Sequence, residues 1–239
     1  MTRHAPLDKN SHRDLRVRTD VGADLGDAVM ATLTVPNEFR NIQGHFPILF
    51  RREAGQSDFI AVALFGFENG ENLFLEGDRW DARYRPLSLA IQPFLVGRPA
   101  SGDGPGQVHI DLGHARIGGD GEGVRLFDEN GMATPYLEAA AERLGALDEG
   151  YRASAAFFAA LRDYDLLEPF TLDIELDDGS KNSLVGFHII DEAKLRALDA
   201  AALGRLHGEG HLMPIFMALA SLSQISELAA RKNRRMRDG

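Results

Sequence analysis

The sequence predicts an α+β fold, an N-terminal and mostly antiparallel β-sheet followed by C-terminal helices that bracket a β-hairpin. Three observations predict it. Residues 14–131 carry short apolar and β-branched runs divided by turn residues, the pattern of strands. From Thr134 onward the apolar spacing becomes helical. Inside that helical half, 170–190 returns to strict alternation on both sides of Asp178-Gly179, a hairpin signal.

In chain order, "DLRVRT" (14–19), "AVMATLTVP" (28–36) and "FPILFRR" (46–52) read as strands. "FIAVALFGF" (59–67) is a continuous apolar run of strand length, expected as a central strand buried on both faces. Asn69-Gly70 marks a hairpin turn, and Gly77-Asp78 supplies another bend. "QVHIDLG" (107–113) and "GVRLFDENG" (123–131) are further strands, beside the glycine-rich loops "GRPASGDGPG" (97–106) and "GGDGEG" (118–123). Thr134 is an N-cap before Pro135, and Leu137, Ala140, Leu144 and Leu147 follow helical spacing. A second helix carries Ala155, Phe158 and Leu161 on one face and is stopped by Pro169.

Phe170, Leu172, Ile174 and Leu176 alternate with Thr171, Asp173, Glu175 and Asp177, and "NSLVGFHII" is the returning strand. Asp191 caps a helix whose apolar face is Leu195, Leu198, Ala202 and Leu206, ended by "HGEGH" (207–211). The last helix runs from Leu212 to the basic end. Its first half is apolar nearly all round, which predicts burial. No internal repeat and no long linker divide the chain. The expectation is a single α+β domain over 1–239, with 1–13 flexible, a β-rich half at 14–131, and a helical half at 134–235 around hairpin 170–190.

Charge and composition exclude several classes. A net charge of −10 over 239 residues argues against a nucleic-acid surface, which needs a basic footprint. Without cysteine there is no thiolate nucleophile, disulfide or Cys-based zinc site. "MTRHAPLDKNSHRD" has no apolar core of a secretory signal. "LMPIFMALASLSQI" (212–225) reads as too short and too Ser-rich for a bilayer span of about 20 residues. A cytoplasmic protein with no membrane span is expected.

Candidate chemistry is sparse. "GGDGEG" lacks the order of a phosphate-binding fingerprint, and a turn is the simpler reading. His207 and His211 stand four apart, but Gly208 and Gly210 disfavour the helix that would align them. His109-x-Asp111 with the distant His188 has the form of the facial triad that holds non-haem Fe(II). The plainer reading of both histidines is ordinary strand residues. The acidic positions Asp173, Glu175 and Asp177 form a solvated strand face. The basic run "RKNRRMR" (231–237) either docks an acidic partner or membrane surface, or is a helix end whose cations suit its dipole.

The block around Trp80, the sole tryptophan, carries Asn72, Glu76, Asp78, Asp81, Arg83, Tyr84 and Gln92. Trp80 and Tyr84 offer stacking faces, with Arg83, Arg85 and Gln92 as polar partners. Ordered blocks along the chain resemble the SapC family of bacterial proteins. They are "HRDLRV" (12–17), "VPNEFRNIQGHFPILF" (35–50), "FGFENGENLFLEGDRWDARYRP" (65–86) and "IQPFLVG" (91–97), then "RDYDLLEPFTLDIELDDGS" (162–180), "LVGFHIIDEAKLRAL" (184–198) and "GHLMPIFMALASLSQISEL" (210–228). Glu38, Glu71, Asn72, Trp80 and Tyr84 are among the family-like positions, whereas His109 and His207 are not. The resemblance brings no settled activity. It implies a gene setting near TonB-dependent receptors and flavin-dependent halogenase-like proteins.

The leading expectation is a non-catalytic accessory or binding protein for a surface-uptake or modification system, without a cofactor. Glu71, Asn72, Trp80, Arg83, Tyr84 and Gln92 would form its recognition surface toward a protein partner. The competing readings are a metal-dependent oxygenase using His109, Asp111 and His188, and an assembly factor that forms a homodimer through the C-terminal helix.

Overall fold

Runs of β-branched and large apolar residues satisfy their backbone groups only by pairing with other strands. The computed structural model describes residues 3–52, 58–98, 106–118 and 121–238, and in it nearly all of these runs pair. The strands are β1 His4–Pro6, β2 Arg16–Val17, β3 Ala31–Thr34, β4 Ile48–Arg52, β5 Phe59–Leu64, β6 Leu75–Glu76, β7 Arg79–Trp80, β8 Phe94–Gly97, β9 Gln107–Asp111, β10 Val124–Arg125, β11 Leu167–Glu175 and β12 Lys181–Ile190. The helices are α1 Phe39–Ile42, α2 Leu87–Ala90, α3 Pro135–Asp163, α4 Glu192–Ala197, α5 Ala200–Gly208, α6 Leu212–Ser221 and α7 Gln224–Asp238. The fold is α+β, with antiparallel sheets first, then a long helix, a hairpin and C-terminal helices. Parts of the two glycine-rich loops, 99–105 and 119–120, lie outside the described residues.

The chain forms two compact units. The first comprises Met1–Ala28, Leu75–Trp80 and Leu87–Glu149, and the second Val29–Phe74, Asp81–Pro86 and Gly150–Gly239. The first unit holds a three-stranded sheet, β1-β9-β8, and the ribbons β10-β2 and β6-β7. Gly77-Asp78 turns β6 into β7, and Gly77 takes φ 62, a conformation that costs glycine nothing. An ion pair is buried in this unit. The Arg116 guanidinium donates twice to Asp27, at 2.8 and 2.7 Å, and also to the carbonyls of Arg18 and Asp20.

The second unit is built on a five-stranded antiparallel sheet ordered β11-β12-β4-β5-β3. β5 is interior, and its residues Ala61, Val62, Ala63 and Leu64 are buried, as the continuous apolar run predicts. Phenylalanines fill the core edge to face: Phe46 meets Phe74 at 4.7 Å and Phe65 at 5.0 Å, and Phe39 meets Phe157 at 6.0 Å.

The helical half differs from its pattern in five places. The two helices expected over 135–168 are one, α3, because Gly150 is a contact point and no break. A Cβ there would stand 2.6 Å from Val35 Cγ2, so tertiary packing outweighs glycine's cost of about 1 kcal/mol in a helix. Pro169 does not stop α3. The helix ends earlier, with Asp165 left-handed at φ 51, and Pro169 lies in β11, an edge strand where its missing N–H is tolerated. The alternation of β11 is interrupted by a bulge between Phe170 and Leu172. The helix expected after Asp191 is two helices. Asp191 caps α4 through the Lys194 N–H at 2.9 Å, Leu198 turns extended, and Asp199 caps α5 through the Ala202 N–H at 2.7 Å.

The fifth difference is at the end. The stretch Leu212–Arg237, which extends 212–225 to 26 residues, suffices by length and composition alone to cross a membrane, with mean hydropathy 1.4 over its most apolar window. Within the chain this stretch is two helices. Ser221 is buried and accepts the Ile48 N–H at 2.8 Å, tying α6 to β4. The expected full burial of α6 holds for one face only: Pro214, Ile215 and Ala218 are buried, whereas Met213 and Phe216 are 55% and 53% exposed.

Candidate functional site

The polar block after β5 begins with a turn in which the Glu71 N–H reaches the Glu68 carbonyl at 3.0 Å. Glu71 folds back, and its Oε2 accepts the Phe67 N–H at 2.8 Å. Asn72 is buried, and its Oδ1 accepts the Phe74 N–H at 3.0 Å, the local turn an asparagine side chain makes. These bonds leave outward acceptors, and α7 fills them. Lys232 donates to Glu71 at 2.5 Å and to Glu68 at 2.9 Å. Arg235 donates to the Asn72 carbonyl at 3.1 Å. Arg231 donates to Asp81 at 2.7 Å, with its guanidinium 4.4 Å from the Phe74 ring centroid.

Spacing explains the fit. Residues 231, 232 and 235 share one side of a helix, so three cations reach the same strip of chain. Next to them Asn233 exchanges two hydrogen bonds of 3.0 Å with Asp177 at the tip of the β11–β12 hairpin. The basic run is therefore not a fraying end. It fastens α7 to residues 68–74, to Asp81 and to the hairpin. Burial alone lowers the affinity of Lys232 for its proton, but the bonds to Glu71 and Glu68 outweigh it and hold the ammonium above its ordinary pKa.

Tyr84 is also engaged. Its hydroxyl donates at 2.8 Å to Glu38 Oε1, and the other Glu38 oxygen accepts from Thr34 at 2.8 Å. Glu38 is 3% exposed, so a buried carboxylate ties β3 to the segment after β7. Arg83 is exposed. Its charge and that of Arg231, behind the larger effect of burial, keep His45 below the ordinary histidine range.

The six residues expected to form a recognition surface are thus distributed. Glu71, Asn72, Arg83 and Tyr84 belong to the second unit, and Trp80 and Gln92 to the first. Trp80 is half-buried in β7, opposite Leu75. Gln92 lies 3.1 Å from His114 Nε2, while His114 Nδ1 accepts the Arg116 N–H at 3.1 Å. That acceptor role puts the imidazole proton on Nε2, which donates to Gln92 Oε1. Burial, then the Arg116 charge, keeps His114 below its ordinary pKa and neutral. Gln92 extends the Arg116–Asp27 network.

Of the residues of the metal reading, His109 and Asp111 belong to the first unit and His188 to the second. His109 lies in β9 with its ring over Gly97 of β8, where a Cβ would collide with it. Asp111 accepts the N–H groups of Arg3 at 3.0 Å and Gly113 at 2.9 Å, which lower its pKa. His188, of the second unit, stands edge-on to Phe59 at 4.8 Å, and burial then Arg52 lower its pKa. Of the "HGEGH" pair, His207 lies in the last turn of α5, and His211 lies 3.7 Å from Glu209 and 5.8 Å from the Phe157 ring. Among the described residues no group of three or more His, Cys, Asp or Glu side chains is gathered to hold a metal ion.

Two features escaped the sequence reading. Glu38 carries no local sign of burial, because its partners are a strand residue and a tyrosine 46 positions away. The exposed side of α6 was masked by uniformity: a helix apolar all round shows no face, so only packing distinguishes inside from outside.

A family model described as SapC matches residues 7–228. Comparison with curated proteins and with solved structures finds no match.

Proposed function

The chain belongs to the SapC family, and on that premise we propose that it is a non-catalytic accessory protein that binds a protein partner through the exposed face of α6. One observation carries the reading: Met213 and Phe216 are more than half exposed on a helix without a charged residue. Such a face cannot turn inward, because Pro214, Ile215, Ala218 and Ser221 fix the opposite side in the core. Large apolar side chains grouped in water favour a partner, at about 25 cal/mol for each Å² of apolar surface removed. The polar block supports this division of work. Glu71, Asn72 and Asp81 hold α7, and α7 follows directly on α6. Recognition therefore rests on α6, and the block serves as its anchor. A second copy of the chain is the simplest partner. The setting in a surface-uptake or modification system is carried over from the family resemblance.

The test compares two surfaces. Phe216→Lys is expected to abolish partner capture and any concentration-dependent rise in mass by sedimentation, with an unchanged melting temperature. A Trp80→Ala/Tyr84→Ala variant is expected to retain the contact at reduced stability. Partner and mass unchanged in Phe216→Lys but lost in the aromatic variant would return recognition to the block. Vesicle flotation that Phe216→Lys removes, with no protein contact, would assign the face to a lipid surface.

A further inference from the structure

Beside β3 and β5 the second half of α3 leaves a cavity of about 120 Å³. Phe59 and Phe158 are among its apolar walls, Thr34 and Ser154 are its buried polar residues, and Tyr151 and Asp58 stand at its exposed rim.

Each buried hydroxyl has one proton to give, and both protons are committed inside the protein. Thr34 donates to Glu38 Oε2 at 2.8 Å, and Ser154 donates to the Gly150 carbonyl at 2.7 Å. A hydroxyl whose proton is used offers only lone pairs to a newcomer. Thr34 is the firmer of the two. Turning its proton toward a ligand would withdraw a hydrogen bond from a buried carboxylate, whereas Ser154 would lose only a second bond to a helix carbonyl. The rim adds little net charge, because Asp58 is paired with Arg162 at 2.9 Å. The Tyr151 hydroxyl has no hydrogen-bond partner among the described residues. A cavity of about 150 Å³ takes a benzene ring, so this one fits a ring-sized molecule or smaller.

From these constraints we infer that the cavity is a binding site for a small, neutral, apolar molecule bearing one hydroxyl donor, a simple phenol or short alcohol. The apolar walls take its body. Thr34 Oγ1 accepts its proton, with Ser154 as the alternative acceptor. A molecule of equal size without a donor fills the same space but leaves these lone pairs unpaired.

Phenol and fluorobenzene are suitable probes, being close in size and differing in the donor. Binding to the full chain is followed by NMR shifts of the cavity side chains. Wild type is expected to saturate with phenol and to bind fluorobenzene about ten-fold more weakly, the cost of one unmade hydrogen bond. Thr34→Val/Ser154→Ala is expected to remove the preference. Because that change also disturbs Glu38, Ala155→Leu serves as the second variant. It fills the cavity from an exposed helix position and is expected to abolish binding of both probes with the fold intact. Absence of saturation by phenol, equal affinity for the two probes in wild type, or undiminished binding in Ala155→Leu would overturn the inference.

Discussion

At the residue scale, the polar positions that stand out in the sequence are bound to other parts of the chain. Glu71 and Lys232 are 161 positions apart, and Asn72 and Arg235 are 163 apart. The sequence shows that Glu71-Asn72 is more polar than a turn requires, but no local pattern reveals a partner at that separation. The same holds for Asp27 and Arg116, which lie between the expected strand runs and form the buried ion pair of the first unit. Removing one member strands a desolvated charge. Asp27→Ala is therefore expected to destabilise that unit by about 3–5 kcal/mol, measured by denaturant unfolding; a loss below 1 kcal/mol would mean that the pair is dispensable. His45 and His188 are expected to contribute to the acid response of the second unit. Burial, then Arg83 and Arg231, lowers the pKa of His45, and burial then Arg52 lowers that of His188. The unfolded chain then binds protons more readily than the folded one. The resulting stability is complete above the ordinary value of 6.5 and is lost as pH falls through it toward the lowered values. Unfolding midpoints should fall from about pH 7 to about pH 5, with a shallower slope in His45→Gln/His188→Gln. Equal slopes would remove these two groups as the cause.

At the element scale, strands were legible because each needs only a local run and a bounding turn. β4, β5, β9 and β12 lie where the apolar runs stand. Helix boundaries were less so, for a physical reason at each site. Asp199 is a capping residue inside an apolar period, and it wins because Leu198 can turn extended. Gly150 reads as a break and acts as a contact. The two glycines of α3 therefore predict opposite signs. Gly145 has nothing within 4 Å of a built Cβ, so Gly145→Ala should stabilise by about 0.5–1 kcal/mol through helix propensity alone. Gly150→Ala drives a methyl into the stiff Val35 side chain and should destabilise by about 1–3 kcal/mol despite the same propensity gain. Thermal unfolding of the two variants checks both signs, and a stabilised Gly150→Ala would show that the Val35 contact yields.

For the whole molecule, family membership was legible from ordered blocks that span the chain, and the function was not. Several residues of those blocks, Glu38, Glu71, Asn72 and Tyr84, are held by internal hydrogen bonds. A binding face leaves a weaker trace in sequence, since an apolar residue looks the same whether it meets the core or a partner. On this account α6 is the working surface, positioned by its buried side and by the basic grip of α7 on Glu68, Glu71, Asn72 and Asp81. The most direct test places a photo-cross-linking residue at Phe216 and, as control, at the exposed Arg196, in cells that make the full chain. The account predicts a discrete cross-linked protein species at 216, either a second copy or a single partner, and none at 196. No protein adduct at 216, or the same adducts at both positions, would contradict it.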